Sequence, residues 1–306
     1  MSAEQNLWGI DLGGTKIEGV VLNSASDPTV LFRDRLPTEG HKGALHVLHQ
    51  IGELVKKMEK KMGYRPEQIG IGTPGTLDPV QGTLKNSNTL CLNGRPFKSE
   101  LEKLLNLDLV MANDANCFAL AETTMGIVNE KYPDAKVVFG VIMGTGVGGG
   151  VVIDGKVIHG LHGIGGEWGH NFLDASGGDC YCGKSGCVEK ILAGPALENY
   201  YHTISGSKKK LGDIYEAFRS GKDTDARKTM ERLTIFFGIG LSVIINILDP
   251  DVIVIGGGVG NIDLLYNEGV KALQNNVFNN RLDTPIVKPK LGDSAGVFGA
   301  AFLVAD

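Results

Sequence analysis

The sequence predicts an α/β fold built from two duplicated domains, with a metal-binding loop in the second. Three observations carry that expectation. An apolar strand, Leu7 to Leu12, runs into Gly13-Gly14-Thr15 and straight out into β-branched residues, and the same device returns about 130 residues later around Gly144 to Gly150. Around both, short apolar runs of strand length alternate with stretches whose apolar residues recur at helical spacing. Finally, His170, Cys180, Cys182 and Cys187 gather in a glycine-rich stretch of a chain with only five cysteines.

Length and composition narrow the classes. At 306 residues, 42% hydrophobic and 21% charged, the chain is long enough for two globular domains. A net charge of −5 offers no general attraction for nucleic acid or an anionic membrane, and neither is expected as a partner. No apolar run reaches the roughly 20 residues that span a bilayer, and Met1 to Asn6 lacks a basic-then-apolar leader, so the cytosol is the expected compartment. Glycine, at 44 residues, is about twice average usage and clusters at turns.

Each element then follows from its local pattern. Leu7 to Leu12 and Ile17 to Leu22 form a hairpin, and Thr29 to Leu36 a third strand. A Gly-Gly-Thr turn presents backbone N–H groups and a hydroxyl to an anion, and Asp11 at the strand end suits a water-bridged Mg²⁺. A strand follows these glycines, which excludes a Walker loop or a Rossmann fingerprint; a ligand-free tight hairpin would look the same. Ala44 to Met62 reads as a helix with Leu45, Leu48, Ile51, Leu54, Val55 and Met58 on one face. Gln68 to Gly72 is a short strand ending in Thr73-Pro74-Gly75, whose open backbone at Gly75 suits ligand contact. In Lys85-Asn86-Ser87-Asn88-Thr89, Asn86 and Asn88 suit sugar hydroxyls, although such residues also fill ordinary loops.

A helix from Phe97 to Leu105 leads to strand Asp108 to Ala112 and then to Asn113-Asp114, where a helix from Ala115 to Met125 begins. A carboxylate at that strand end faces the cleft above the sheet's carboxyl edge, though an N-cap aspartate has the same local signature. Val137 to Met143 and Gly149 to Ile153 flank the second glycine turn, and the duplication places a domain boundary at residues 112/113. The first domain is therefore 1–112, joined by a C-terminal helix from Ser294, and the second is 113–293.

In the loop from Gly165 to Glu189, one imidazole and three thiolates make the closed Cys3His set of a structural zinc. Gly177, Gly178, Gly183 and Gly186 let the loop wrap tightly, and Glu167 and Glu189 are carboxylates the metal does not need. Free thiols or a disulfide are the alternatives; Cys180 and Cys182 are too close for easy bridging. Beyond it, a long helix runs from about Asp223 to Ile247, the strand Asp251 to Ile255 discharges into Gly256-Gly257-Gly258 before a helix from about Ile262, and Thr284 to Lys288 is a last strand. Glycines at such a strand end let a flat base or ribose lie on the backbone.

Taken together, Asp-Leu-Gly-Gly-Thr-Lys from Asp11, Asn-Asp-Ala-Asn from Asn113, Gly-Thr-Gly-Val-Gly-Gly-Gly from Gly144, Gly-Glu-Trp-Gly-His from Gly166, the cysteine motif from Cys180 to Glu189 and Gly-x-x-Gly-Ala-Ala from Gly296 resemble the ROK family of bacterial sugar kinases and repressors. The resemblance implies an actin-like, hexokinase/RNase H-type two-domain α/β fold with an interdomain cleft, closing on ATP, Mg²⁺ and a hexose. It assigns phosphate binding to Gly9, Ile10, Asp11, Leu12, Gly13, Gly14, Thr15 and Lys16 and to Gly144, Thr145, Gly146, Val147, Gly148, Gly149, Gly150 and Val151, and the adenosine side to Gly256, Gly257 and Gly258. Asp114 becomes the catalytic base. Asn113, Glu167, His170 and Glu189 become sugar contacts beside Gly75, Asn86 and Asn88, so that His170 serves both zinc and sugar. An ATP-dependent hexose kinase acting on the 6-hydroxyl, present as a homodimer, is therefore expected. The run from Lys85 to Phe97 resembles the fructokinase/mannokinase branch; glucokinase and N-acetylglucosamine kinase are the alternatives. A DNA-binding regulator would need a domain ahead of Leu7, and a non-catalytic sugar-binding protein would not need Asp11 and Asp114.

Overall fold

The computed structural model describes residues 5–305; residues 1–4, on which part of the leader expectation falls, and Asp306 lie outside the described residues. Two compact units divide the chain. Unit one holds the residues up to Lys131, Gly150–Gly165, and those from Lys290 onward; unit two holds Tyr132–Gly149 and Gly166–Pro289.

In unit one, β1 (Leu7–Leu12), β2 (Lys16–Leu22) and β3 (Val30–Pro37) form an antiparallel meander. Helix α1 (Ala44–Met62) then crosses to β4 (Gln68–Thr73), which lies parallel to β1. The hairpin β5 (Thr76–Leu77) and β6 (Leu84–Lys85) and helix α2 (Phe97–Leu105) precede β7 (Asp108–Asn113), parallel to β4, so the sheet order is β3-β2-β1-β4-β7. Helices α3 (Asp114–Thr124) and α4 (Ile127–Lys131) complete the first pass. One sheet face packs on α1, where Trp8, Ile10, Leu12, Val47, Leu48, Ile51, Leu54 and Met58 are buried. The helical face is turned slightly from the expected one: Leu45 is exposed and Val47 takes the core position.

The second sheet repeats the pattern. Strands β8 (Val137–Met143) and β9 (Val147–Ile153) flank the glycine turn, β10 (Lys156–Val157) extends the antiparallel side, and β11 (Val252–Gly256) and β12 (Ile286–Val287) lie parallel beyond β8 in the order β10-β9-β8-β11-β12. Helices α5 (Glu189–Leu192), α6 (Gly194–Ser205), α7 (Leu211–Arg219) and α8 (Thr224–Leu248) lie between β10 and β11. Short α9 (Gly257–Gly260) starts directly on the last residue of β11, and α10 (Glu268–Gln274) follows after a turn near Ile262, where a single helix was expected. By length and composition α8 is apolar enough to cross a membrane, although Thr234, Gly238, Gly240, Ser242 and Asn246 keep its apolar residues from forming one continuous run. Half of its most apolar window is buried, with Met230, Leu233, Phe237 and Leu241 turned inward.

The division falls at Lys131/Tyr132 rather than at residues 112/113. Packing explains the difference. Helix α11 (Ala295–Phe302) lies against α3, β1 and β4, which holds α3 in unit one. A Cβ on Gly9 or Gly70 would collide with Ala301 and Ala300 of α11, so glycine in β1 and β4 lets the helix backbone touch the sheet. Glu122, fully buried on α3, accepts the N–H groups of Lys290 and Leu291 and so fixes the segment that leads into α11.

Candidate active site

In unit one the candidate groups collect around the ends of β1 and β7. The loop between β1 and β2 is closed by Gly13 N–H donating to Lys16 O at 2.9 Å, and Thr38 braces it by donating its hydroxyl to Gly13 O at 2.6 Å. Gly14 and Thr15 at the tip are exposed. Gly9 lies against α11, and the side chains of Ile10 and Leu12 are in the core.

Asp11 sits beneath this loop. Ideal Cβ atoms on Gly72 and Gly296 would lie 3.3 Å and 2.9 Å from its carboxylate oxygens, so two glycines and the buried Cys117 thiol wall it in. Burial raises its pKa from 3.8 to about 7, reinforced by the charges of Asp114 and Glu18 and opposed by Lys16. Glu18 faces Asp11 across the hairpin. Burial alone would raise Glu18, but hydrogen bonds from Arg35 and Arg33 win and lower it.

The ambiguity over Asp114 is resolved by the cap. Asn113, at the end of β7, accepts the Asn116 N–H at 2.8 Å and is the N-cap of α3. That leaves Asp114 in the first turn with its carboxylate exposed, where Oδ1 accepts the Ala115 N–H at 2.8 Å. Since the Asn113 oxygen is engaged, its amide NH2 is the group that could meet a hydroxyl.

Exposed Asn86 and Asn88 lie on a loop the sequence read only as polar. Asn93 organises it, accepting from Ser87 N and donating to Ser87 O at 2.8 and 2.9 Å. Gly75, at φ 85°, lies against this loop so closely that a Cβ would stand 2.7 Å from Ser87 N. Asn88 reaches Gly14: a Cβ there would be 3.7 Å from the amide oxygen, and together they border a recess of about 660 Å³ that also takes in Thr15, Glu39, His41 and Cys91.

In unit two the Gly144–Gly149 turn carries its own carboxylate. Glu189 Oε2 accepts the Val147 N–H at 3.0 Å, and a Cβ on Gly146 would lie 2.6 Å from the same oxygen. Gly144 approaches Gly258, where a Cβ would be 3.8 Å from the Gly258 nitrogen, so the turn and the start of α9 meet. Gly258 has open space before it, while Gly257, at φ 81°, is packed on Met143. Gly150 is not part of this turn: its Cβ would meet Ala115 O at 2.5 Å in unit one, and Val151 beside it is buried. Thr145 and Glu189 open on a recess of about 440 Å³ that also holds Lys190, Asn199 and Arg232, the last lying between the rings of Tyr200 and Phe236 at 4.7 Å from each.

The Cys and His side chains converge as predicted. One ligand atom from each of His170, Cys180, Cys182 and Cys187 lies within 4.8 Å of all the others. His170 Nδ1 is 3.6 Å from Cys180 Sγ, and Cys182 and Cys187 sulfurs are 3.6 Å apart. Nitrogen at about 2.0 Å and sulfur at about 2.3 Å on one tetrahedral ion would stand about 3.6 Å apart, and two such sulfurs about 3.8 Å. The donor set therefore fits zinc. Gly178, Gly183 and Gly186 take positive φ, whereas Gly177 is there for packing, its Cβ position 3.0 Å from Ile191. His170 Nε2 lies 2.9 Å from the Tyr181 hydroxyl, a partner the sequence did not reveal. Although the ring is largely exposed, local desolvation of the hydroxyl raises its pKa to about 12, with Glu189, Cys180, Glu167 and Cys182 adding to the effect, so both candidate carboxylates act on Tyr181.

The family profile of ROK proteins matches residues 7–306. The chain belongs to the ROK family. Among its relatives, the N-acetyl-D-glucosamine kinase of Vibrio atlanticus is 36% identical over 97% of this chain and 98% of its own length. The ROK hexokinase of Thermus thermophilus superposes with a TM-score of 0.86 at 31% identity, covering 98% of this chain and 97% of that one. A Streptomyces griseus ROK glucokinase, solved with glucose and AMPPNP, gives 0.76 at 27% identity over 98% and 99% of the two chains. The actin-like two-domain ROK sugar-kinase fold expected from the motifs is thus the one observed. The fructokinase/mannokinase leaning is not supported at that level: relatives at 35–36% identity over 97% of the chain are N-acetyl-D-glucosamine kinases.

Proposed function

We propose that the protein is an ATP-dependent kinase that phosphorylates the 6-hydroxyl of an N-acetylated hexosamine, N-acetylglucosamine above all. The observation carrying the substrate is the similarity, over 97% of the chain, to N-acetyl-D-glucosamine kinases. Asp114 is the base: its carboxylate is exposed at the N-terminal turn of α3 and, unlike Asn113, is not the cap. It accepts the hydroxyl proton as the hydroxyl oxygen attacks the γ-phosphorus and the bond to the β,γ-bridging oxygen breaks, releasing ADP, a reaction that depends chiefly on position and charge. Gly13 to Lys16 and Gly144 to Gly149 hold the phosphates, with Thr15 and Thr145 as hydroxyl donors, and Gly258 leaves room for the adenosine side.

Asn86, Asn88, Asn113, Glu167, His170 and Glu189 hold sugar hydroxyls in this reading. Asp11 would hold Mg²⁺ through water, and the ion would neutralise phosphate charge. His170, Cys180, Cys182 and Cys187 would hold zinc, which would order the loop without entering the chemistry, since four protein ligands close its coordination.

The test is kcat/KM with ATP for N-acetylglucosamine, glucose, mannose and fructose. The acetylated sugar should lead. A higher value for fructose or mannose would return the substrate to the branch suggested by Lys85 to Phe97, and turnover of none would remove the kinase reading.

A further inference from the structure

The His170 ring has two nitrogens, and unit two gives each a partner. Nδ1 faces Cys180 Sγ at the 3.6 Å expected of two ligands on one ion, which leaves only Nε2 for any other task. With Nδ1 bound to metal, Nε2 carries a single N–H and can serve one well-aligned acceptor. Tyr181 already supplies that acceptor: its hydroxyl is 2.9 Å away, with the two rings edge to face at 5.1 Å. If His170 contacts the sugar, as the function proposed above requires, the phenol and the sugar hydroxyl compete for one proton.

We propose that Tyr181 is a positioning residue that acts as a latch, its hydroxyl holding His170 Nε2–H until a sugar hydroxyl takes its place. The side chain is suited to leaving. Tyr181 is 75% exposed, so its ring can turn into solvent, while the adjoining Cys180 and Cys182 keep the backbone anchored to the metal cluster. The latch also bears on specificity. A sugar that presents an acceptor to Nε2 replaces the lost hydrogen bond; one that does not must break it without return or bind with the latch closed.

The experiment is Tyr181→Phe, which keeps the ring and removes only the hydroxyl. N-acetylglucosamine binding is measured by titration calorimetry, zinc by elemental analysis, and the His170 Nε2–H by nitrogen-15 histidine spectra with and without sugar. The variant should bind sugar about 3–10-fold more tightly, the scale of one neutral hydrogen bond, with zinc content and the KM for ATP unchanged. Its sugar-free His170 signal should differ from wild type, and the two should coincide at sugar saturation. Unchanged or weaker sugar binding, zinc loss in the variant, or a wild-type His170 signal that sugar does not move would each overturn the latch while leaving the kinase reading intact. A wild-type protein that binds no hexose in calorimetry would overturn both.

Discussion

Replacing Asp11 with asparagine should make unit one more stable, by an amount set by pH, while lowering activity. Folded Asp11 titrates near 7 against an ordinary 3.8, and at about 1.4 kcal/mol per pH unit that difference corresponds to about 4 kcal/mol. The folded state holds the proton more tightly, so wild-type stability is full below about pH 4, falls from there to about 7, and carries the whole deficit above 7. Asparagine copies the neutral acid and escapes the loss. The gain should therefore be about 2 kcal/mol at pH 5 and about 4 kcal/mol at pH 8. The two tryptophans allow the units to be read separately, because Trp8 is buried in unit one and Trp168 in unit two. In a Trp168→Phe background, urea unfolding followed by Trp8 fluorescence at pH 5 and pH 8 measures the difference, and a steady-state assay at pH 8 measures the loss of kcat. An equal gain at both values, or a variant less stable at pH 8, would refute the assignment of a raised pKa to this carboxyl.

Asp114→Asn should lower kcat by at least ~10²-fold with sugar affinity largely kept, and should also move the Asp11 titration downward, since the Asp114 charge helps to raise it; near-normal kcat would remove Asp114 from the mechanism. Gly14→Ala meets only an ordinary 3.7 Å contact and should raise the KM for ATP alone, whereas Gly146→Ala pushes on Glu189 Oε2 and should weaken ATP and sugar together, which initial-rate measurements with each substrate varied will separate. Cys182→Ser should release the zinc, lower the melting temperature and weaken sugar binding, with ATP affinity changed much less; a metal-free variant that binds sugar normally would show that other contacts order the loop.

The sheets were legible because their signals are local. A strand, a glycine turn and a β-branched continuation identify β1 and β2 with no knowledge of what packs on them, and β8 and β9 repeat the signal. What could not be read was long-range packing. Gly9 and Gly150 look like extensions of the two glycine turns, yet each is glycine because a helix backbone passes over it, α11 in one case and α3 in the other. The domain boundary was displaced for the same reason: the helix that holds α3 in unit one lies almost two hundred residues further along the chain. Glu18 and Glu122, both buried charges, carry no sequence signature at all, because their partners are Arg33 and Arg35 on a neighbouring strand and the N–H groups of Lys290 and Leu291.

The candidate site divides along the same line. Cys3His clusters announce themselves because metal chemistry restricts the ligands to few residue types at short spacing, and the observed 3.6 Å separations add to what spacing alone had said. A cap and a base do not announce themselves, since Asn and Asp both favour helix N-termini. The structure separates Asn113 from Asp114 by one hydrogen bond, from Asn116 N–H to the Asn113 oxygen, which makes Asn113 the cap and leaves Asp114 for the role of base proposed above. With Asn113 as cap, Asp114 can keep its carboxylate exposed in the first turn of α3, where the base proposed above would need it. A reversed order, Asp then Asn, would put the carboxylate on the cap and leave an amide, which cannot accept a hydroxyl proton, in the exposed position.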